Sequence, residues 1–181
     1  ENVAQRVVDG MAAERTPFKG ILFCGIMLAE RPDGSVQPMV LEFNTRFGDP
    51  ETQALMLRLE TDVIDIFNAS IDGTADQLEV KMKPGASVCV IAASGGYPGS
   101  YANGKVIHGL AGSAAPGVMV FHSGTAAKEG TLVTAGGRVL GITAVAGDLK
   151  SALDAAYKRL AEISFDGMQY RRDIGWRALR S

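Results

Sequence analysis

Val40-Leu41-Glu42-Phe43-Asn44-Thr45-Arg46-Phe47-Gly48-Asp49-Pro50-Glu51-Thr52 decides how this chain is read. Its first residues are strand formers, and in a strand residues two apart share a face. Glu42 and Asn44 then project two oxygen ligands to one side, while Leu41 and Phe43 face a core. A carboxylate with an amide oxygen is a hard-oxygen set suited to Mg2+. That ion takes one or two protein carboxylates and completes its shell with water and substrate phosphates. Arg46 extends the row if the strand runs that far. It offers a planar, permanent charge for a phosphate or carboxylate. Asp49 suits a helix N-cap, Pro50 the first helical position and Glu51 the positive end of the dipole. The backbone N–H groups of that helix are a second anion-binding element. Asp49 and Glu51 suit an ammonium group equally well. The plain alternative is a polar strand end on the surface followed by an ordinary helix start.

Toward the N-terminus, Val3, Val7, Val8 and Met11 recur at helical spacing, which predicts a helix over residues 2–14 that Thr16-Pro17 ends. Gly20 to Ala29 is an apolar run of strand formers. Arg31-Pro32-Asp33-Gly34 is a turn, and Val36 to Phe43 a second strand, so the two should pair as an antiparallel hairpin. The N-terminal residues, from Glu1 to Arg6, do not resemble a signal peptide.

Toward the C-terminus, Leu55, Met56 and Leu59 give the helix after Pro50 an apolar face. A further helix is expected from Asp62 through Ile71, with Asp72-Gly73 as its stop. Residues 72–87 are polar and contain Lys83-Pro84-Gly85, which places a boundary there: 1–83 as one part, 84–181 as another. Beyond it, Val88 to Ala93 reads as a buried strand. Short strands are expected near Val106–Ile107, Val118–Phe121, Thr131–Thr134 and Arg138–Val145, with an amphipathic helix from Leu149 to Ile163. The fold class is therefore α+β: a hairpin with helices, then a small, mainly β domain with one helix.

The composition excludes several classes. Of 181 residues, 46% are hydrophobic and 21% charged, as in a globular protein. A net charge of -2 is too small to argue for a nucleic-acid or membrane surface, and neither partner is expected. No apolar run is long enough to span a membrane. Cys24 and Cys89 sit in separate apolar runs and read as core thiols of a reduced, cytoplasmic protein. No Ser-His-Asp or Cys-His set is present. His122 reads as a strand-end histidine with a satisfied hydrogen bond. Ser94-Gly95-Gly96-Tyr97-Pro98-Gly99 lacks a phosphate-loop fingerprint and reads as a turn. Gly136-Gly137-Arg138 is a turn leading into a strand, and the basic, aromatic tail Tyr170 to Ser181 a packing or solvated face.

The segment Glu42 to Gln53 closely resembles the motif that ends the ATP-grasp core in the phosphoribosylamine–glycine ligase family. The likeness extends to Gly20-Ile21-Leu22-Phe23-Cys24-Gly25-Ile26-Met27, Gly96-Tyr97-Pro98-Gly99, Val120 to Thr125, Gly136 to Leu140 and Tyr170 to Gly175. The resemblance implies the C-terminal portion of an ATP-grasp core followed by a ligase C-terminal domain. It implies Glu42 and Asn44 as ligands of Mg2+ (or Mn2+). Arg46 and Asp49 would be catalytic, and Gly48, Pro50 and Glu51 would line the substrate pocket. It also implies ATP, glycine and 5-phosphoribosylamine as substrates, with a glycyl phosphate intermediate. The family's N-terminal domain and lid, with the lid lysine and adenine pocket, would lie outside these residues. A non-catalytic scaffold derived from the same core, or an ATP-grasp ligase with another acceptor, are the competing readings.

Overall fold

Helix α1 (Asn2–Ala13) is followed by the strands β1 (Phe23–Glu30) and β2 (Val36–Asn44). A computed structural model describes residues 2–112 and 115–180. Glu1 and Ser181, the outer residues of the N-terminal stretch and of the basic tail, lie outside the described residues. The chain divides into two compact units: Glu1–Asp49 with Thr61–Lys81, and Pro50–Glu60 with Met82–Ser181.

In the first unit β1 and β2 pair antiparallel across the Arg31–Gly34 turn, as expected. Asp33 holds that turn, accepting from the Ser35 N–H at 2.9 Å and its hydroxyl at 2.6 Å. The register breaks once. Gly25 faces Glu42 but Ile26 faces Val40, leaving Leu41 as an extra residue, a β-bulge. The unit also holds α3 (Val63–Asp72). Asp62 caps it by accepting from the Ile64 N–H at 2.9 Å. Gly73 ends it at φ 75°, a left-handed conformation that glycine adopts without strain.

The second unit begins with α2 (Glu51–Arg58) and continues in β3 (Ala86–Ala93), β4 (Val118–His122), β5 (Thr125–Lys128), β6 (Thr131–Thr134), β7 (Arg138–Ala146) and α4 (Leu149–Leu160). Here β7 lies between β3 and β4 in an antiparallel sheet, and β5 pairs with β6 in a separate ribbon. Alternation gives the sheet two apolar faces. Val88, Val90, Ala92, Ile142 and Ala144 pack with Ala152, Leu153, Ala156 and Leu160 of α4. Cys89 and Ile91 turn the other way with Gly141, toward Gln53 of α2. The unit is thus three layers, helix–sheet–helix, and carries α2 as well as the one helix expected for it.

Three details depart from the sequence reading. Helix α4 stops at Leu160, where Ala161 is the C-cap, because Ile163 is drawn into the core beyond the helix. Strand β5 was not expected, since Thr125-Ala126-Ala127-Lys128 carries no strand-forming alternation. Val106 forms only an isolated bridge to Val133.

Candidate functional site

Strand β2 carries Glu42 and Asn44 to its end. The bulge lies before them, so the alternation from Glu42 through Asn44 is intact, opposite Gly25 and Phe23. Both side chains therefore emerge on one face. The opposite face holds Val40 and Phe43, which line a shallow cavity of about 320 Å³ with Val3 and Arg6 of α1. Residues of α1 border part of that apolar face, where Val40 and Phe43 remain 44% and 43% exposed.

Gly25 makes room on that side. A Cβ there would come within 3.1 Å of the Glu42 Cγ, so the acidic side chain runs over the glycine. Sequence reasoning missed Gly25. The available signal was a lone glycine inside an apolar strand, which marks a bulge or a close approach. Among the described residues no hydrogen bond or ion pair engages the side chain of Glu42 or of Asn44. Nor do three or more His, Cys, Asp or Glu residues gather as a metal cluster among them. A carboxylate and an amide oxygen on one strand face fit an ion that draws most of its shell from water and phosphate. They do not fit one that demands a full protein cage.

The other expected residues are placed less uniformly. Leu41 does not face a core: it is the bulged residue and is 62% exposed. Phe43 points toward α1 but remains 43% exposed. Arg46 does not extend the row, because β2 ends at Asn44 and Arg46 sits in a bend, its Nη1 donating to the Phe47 carbonyl at 2.9 Å. Gly48 is buried and Asp49 exposed at the end of the first unit's leading segment. Pro50 and Glu51 belong to the second unit. Pro50 is the N-cap of α2 and Glu51 its first residue, so Asp49 is not the cap and Pro50 lies one position earlier than expected.

Among the weaker signals, His122 Nδ1 lies 3.0 Å from the Thr125 hydroxyl, the satisfied contact expected of it. In the tail, Arg177 and Arg180 stand over the Trp176 ring at 5.4 and 5.2 Å, a local packing arrangement. Neither cysteine forms a disulfide; Cys24 is half-buried and Cys89 buried.

Comparison with known proteins adds to this geometry. The family model described as phosphoribosylglycinamide synthetase, C domain, matches residues 87–177. That described as phosphoribosylglycinamide synthetase, ATP-grasp (A) domain, matches residues 1–52. The chain belongs to the phosphoribosylglycinamide synthetase family. Among the relatives of this family, the phosphoribosylamine–glycine ligase of Vibrio parahaemolyticus is 46% identical over 179 residues, covering 99% of this chain and 41% of its own length. The human trifunctional purine biosynthetic protein adenosine-3 is also 46% identical, covering 99% of this chain and 17% of its own length. The chain thus spans well under half of either relative. The crystal structure of the phosphoribosylamine–glycine ligase of Thermotoga maritima superposes with a TM-score of 0.74 at 32% identity, covering 91% of this chain and 39% of that one. The biotin carboxylase domain of a Hydrogenobacter thermophilus 2-oxoglutarate carboxylase shares the fold alone, with a TM-score of 0.59 at 16% identity. The match of both the A and the C models to one synthetase family supports the α+β reading as an ATP-grasp portion followed by a synthetase C domain.

Proposed function

We propose that this chain is part of an ATP-dependent ligase that joins glycine to 5-phosphoribosylamine, giving glycinamide ribonucleotide, ADP and phosphate. In this reading residues 1–83 are the C-terminal portion of the ATP-grasp domain and 84–181 the ligase C-terminal domain. The observation that carries it is Glu42 and Asn44 on one strand face, turned away from α1 with no protein partner among the described residues. The two would hold Mg2+ or Mn2+, which supplies charge neutralisation at a transferring phosphoryl group.

The remaining work falls to positioning and to permanent charge. A glycine carboxylate oxygen bonds to the terminal phosphorus of ATP and ADP leaves. The amine of phosphoribosylamine then bonds to the glycyl carbonyl carbon and phosphate leaves. Arg46 answers negative charge on the phosphoryl oxygens, since its guanidinium is never deprotonated. Asp49 accepts hydrogen bonds from an ammonium or amine group, and Gly48, Pro50 and Glu51 shape the surrounding backbone. A cytoplasmic setting belongs to the same reading, supported by Cys24 and Cys89 not being in a disulfide.

The test is formation of glycinamide ribonucleotide from ATP, glycine and 5-phosphoribosylamine by the full-length protein. Glu42→Ala should lower turnover by about 10²-fold or more while thermal unfolding is unchanged. Unchanged turnover with the fold intact would favour a non-catalytic scaffold. The 181-residue chain alone, which spans only 41% of the Vibrio ligase, should form no product, and measurable turnover by it would overturn that expectation.

A further inference from the structure

The second unit holds a cavity of about 610 Å³ whose wall is mainly side chains that the proposed chemistry does not use, among them Ile91, Tyr97, Pro98, Gln169, Tyr170 and Ile174. Its size is that of a small-ligand site, and so is its make-up: mainly apolar, with few polar groups. Tyr97, Pro98 and Tyr170 give the wall flat side chains, which suit a planar guest.

The Tyr97 ring is fixed in place by the protein itself. Ser94 ties the turn at 96–99 to the turn at 136–138: its N–H donates to the Gly137 carbonyl at 2.8 Å and its hydroxyl to the Gly136 carbonyl at 2.8 Å. The ring occupies the space a side chain at 137 would need, and a Cβ on Gly137 would overlap it. The Tyr97 carbonyl accepts from Gln169 Nε2 at 2.7 Å, and the hydroxyl accepts from Arg138 Nε at 3.1 Å. A ring already held at both ends loses little freedom when a ligand arrives.

Two polar atoms of these residues are left over. A phenol carries one proton and two lone pairs. The bond from Arg138 uses a lone pair, and the Tyr97 proton finds no acceptor among the described residues. The Tyr97 carbonyl can only accept, so the Gln169 amide turns its nitrogen there. The amide oxygen then receives no donor among the described residues. One donor and one acceptor remain, separated by the length of the tyrosine side chain, because the amide sits at its backbone end and the hydroxyl at its tip. The cations of the wall make no demand for an anion. Arg171 is answered by Asp173 through bonds of 2.9 and 2.7 Å, and Arg138 is already engaged.

We propose that this cavity binds a small, flat, uncharged heterocycle of nucleobase type, with a carbonyl at one edge and an N–H at the opposite edge. The Tyr97 hydroxyl donates to the first and the Gln169 amide oxygen accepts from the second. The ligand is additional to those of the ligase reading, since ATP, glycine and phosphoribosylamine all carry charge.

Calorimetric titration of the full-length protein with hypoxanthine tests it, with ATP and Mg2+ saturating, so that a nucleotide site is filled, and glycine absent. Hypoxanthine carries its carbonyl and its imidazole N–H at opposite edges. The wild type should bind it saturably. Tyr97→Phe keeps the ring in its seat and removes only the donor, so affinity should fall about tenfold with the thermal midpoint unchanged. Indole has the N–H but no carbonyl. It should bind both proteins alike, and more weakly than hypoxanthine binds the wild type. Absence of saturable hypoxanthine binding would overturn the proposal, as would equal affinity of the two proteins for hypoxanthine. An equal loss of indole binding in the variant would also overturn it, since that marks a displaced ring and not a lost donor. The titration reads no turnover, so failure of the ligase reading leaves its outcome intact.

Discussion

The strands β1 and β3 carry similar apolar runs that meet different fates. Phe23-Cys24-Gly25-Ile26-Met27-Leu28 and Val88-Cys89-Val90-Ile91-Ala92-Ala93 are both apolar runs with a cysteine second in line. Yet Leu28 is 70% exposed, while Val90 and its partner Ile142 are 0%. The cause is the number of layers rather than the residues. The strands β1 and β2 form a two-stranded ribbon with α1 against part of one face. The strands β3, β7 and β4 form a sheet with α4 on one face and α2 on the other. An apolar strand is buried only when something lies above and below it. In this chain the second unit meets that condition and the hairpin does not.

The largest expected effect follows from that contrast. Ile142→Ala removes a side chain that is fully enclosed and should cost about 2–5 kcal/mol in urea unfolding of the chain. Leu41→Ala, on the bulge, should stay within about 0.5 kcal/mol. Comparable losses at the two positions would break the comparison, because the hairpin would then have to be as well packed as the sheet.

A smaller effect sharpens it at the candidate site. Gly25→Ala places a methyl 3.1 Å from the Glu42 Cγ, which must give by a few tenths of an ångström. The ribbon has room for that movement, so unfolding should hardly change. The carboxylate moves nonetheless. Titration of the full-length protein with Mn2+ should show affinity lower by a few-fold, on the order of what small misplacements cost. A change in unfolding with unaltered Mn2+ binding would show that Gly25 serves the strand pairing and not Glu42.

The difference between the two regions also marks what a sequence exposes to reading. The hairpin was legible because its signals are local: two strand runs around Pro32-Asp33-Gly34, and Glu42 with Asn44 two residues apart on a strand. The start of α3 near Asp62 and its stop at Asp72-Gly73 were legible for the same reason, although Asp62 proves to be the cap and not the first helical residue. The bulge at Leu41 was not, since register is set by the partner strand and not by the bulged residue. Arg46 fell out of the row because nothing in Thr45-Arg46 prolongs a strand. Leu55, Met56 and Leu59 announced that α2 has a covered face, but not that β3 and β7 cover it. The meeting of Tyr97 with Arg138, 41 residues apart, lay beyond any local pattern.

The smallest effect concerns acid. In the second unit the Asp148 carboxyl lies below its usual range, first because the Ser151 hydroxyl and then its N–H donate to it at the start of α4. Asp166 is lowered by Lys105, 2.6 Å away, and Asp173 by Arg171. In the first unit Asp33 is lowered in the same way by Ser35. A carboxyl whose folded pKa is depressed binds its proton less readily than in the unfolded chain. Its contribution is therefore present above the ordinary aspartate range and lost as the pH falls through the folded value. Stability measured by urea unfolding should fall as the pH drops below the unperturbed value of 3.8. All four groups are exposed, so the loss is modest. Salt separates them: the Lys105–Asp166 pair is screened at high ionic strength, whereas the hydrogen bonds at Asp148 are short-range. Asp148→Asn keeps an acceptor at the cap but cannot titrate. It should reduce the proton uptake on unfolding by up to about one proton at low pH and leave stability near pH 7 almost unchanged. An unaltered acid slope in that variant would mean that the capping bond is retained whatever the protonation of Asp148.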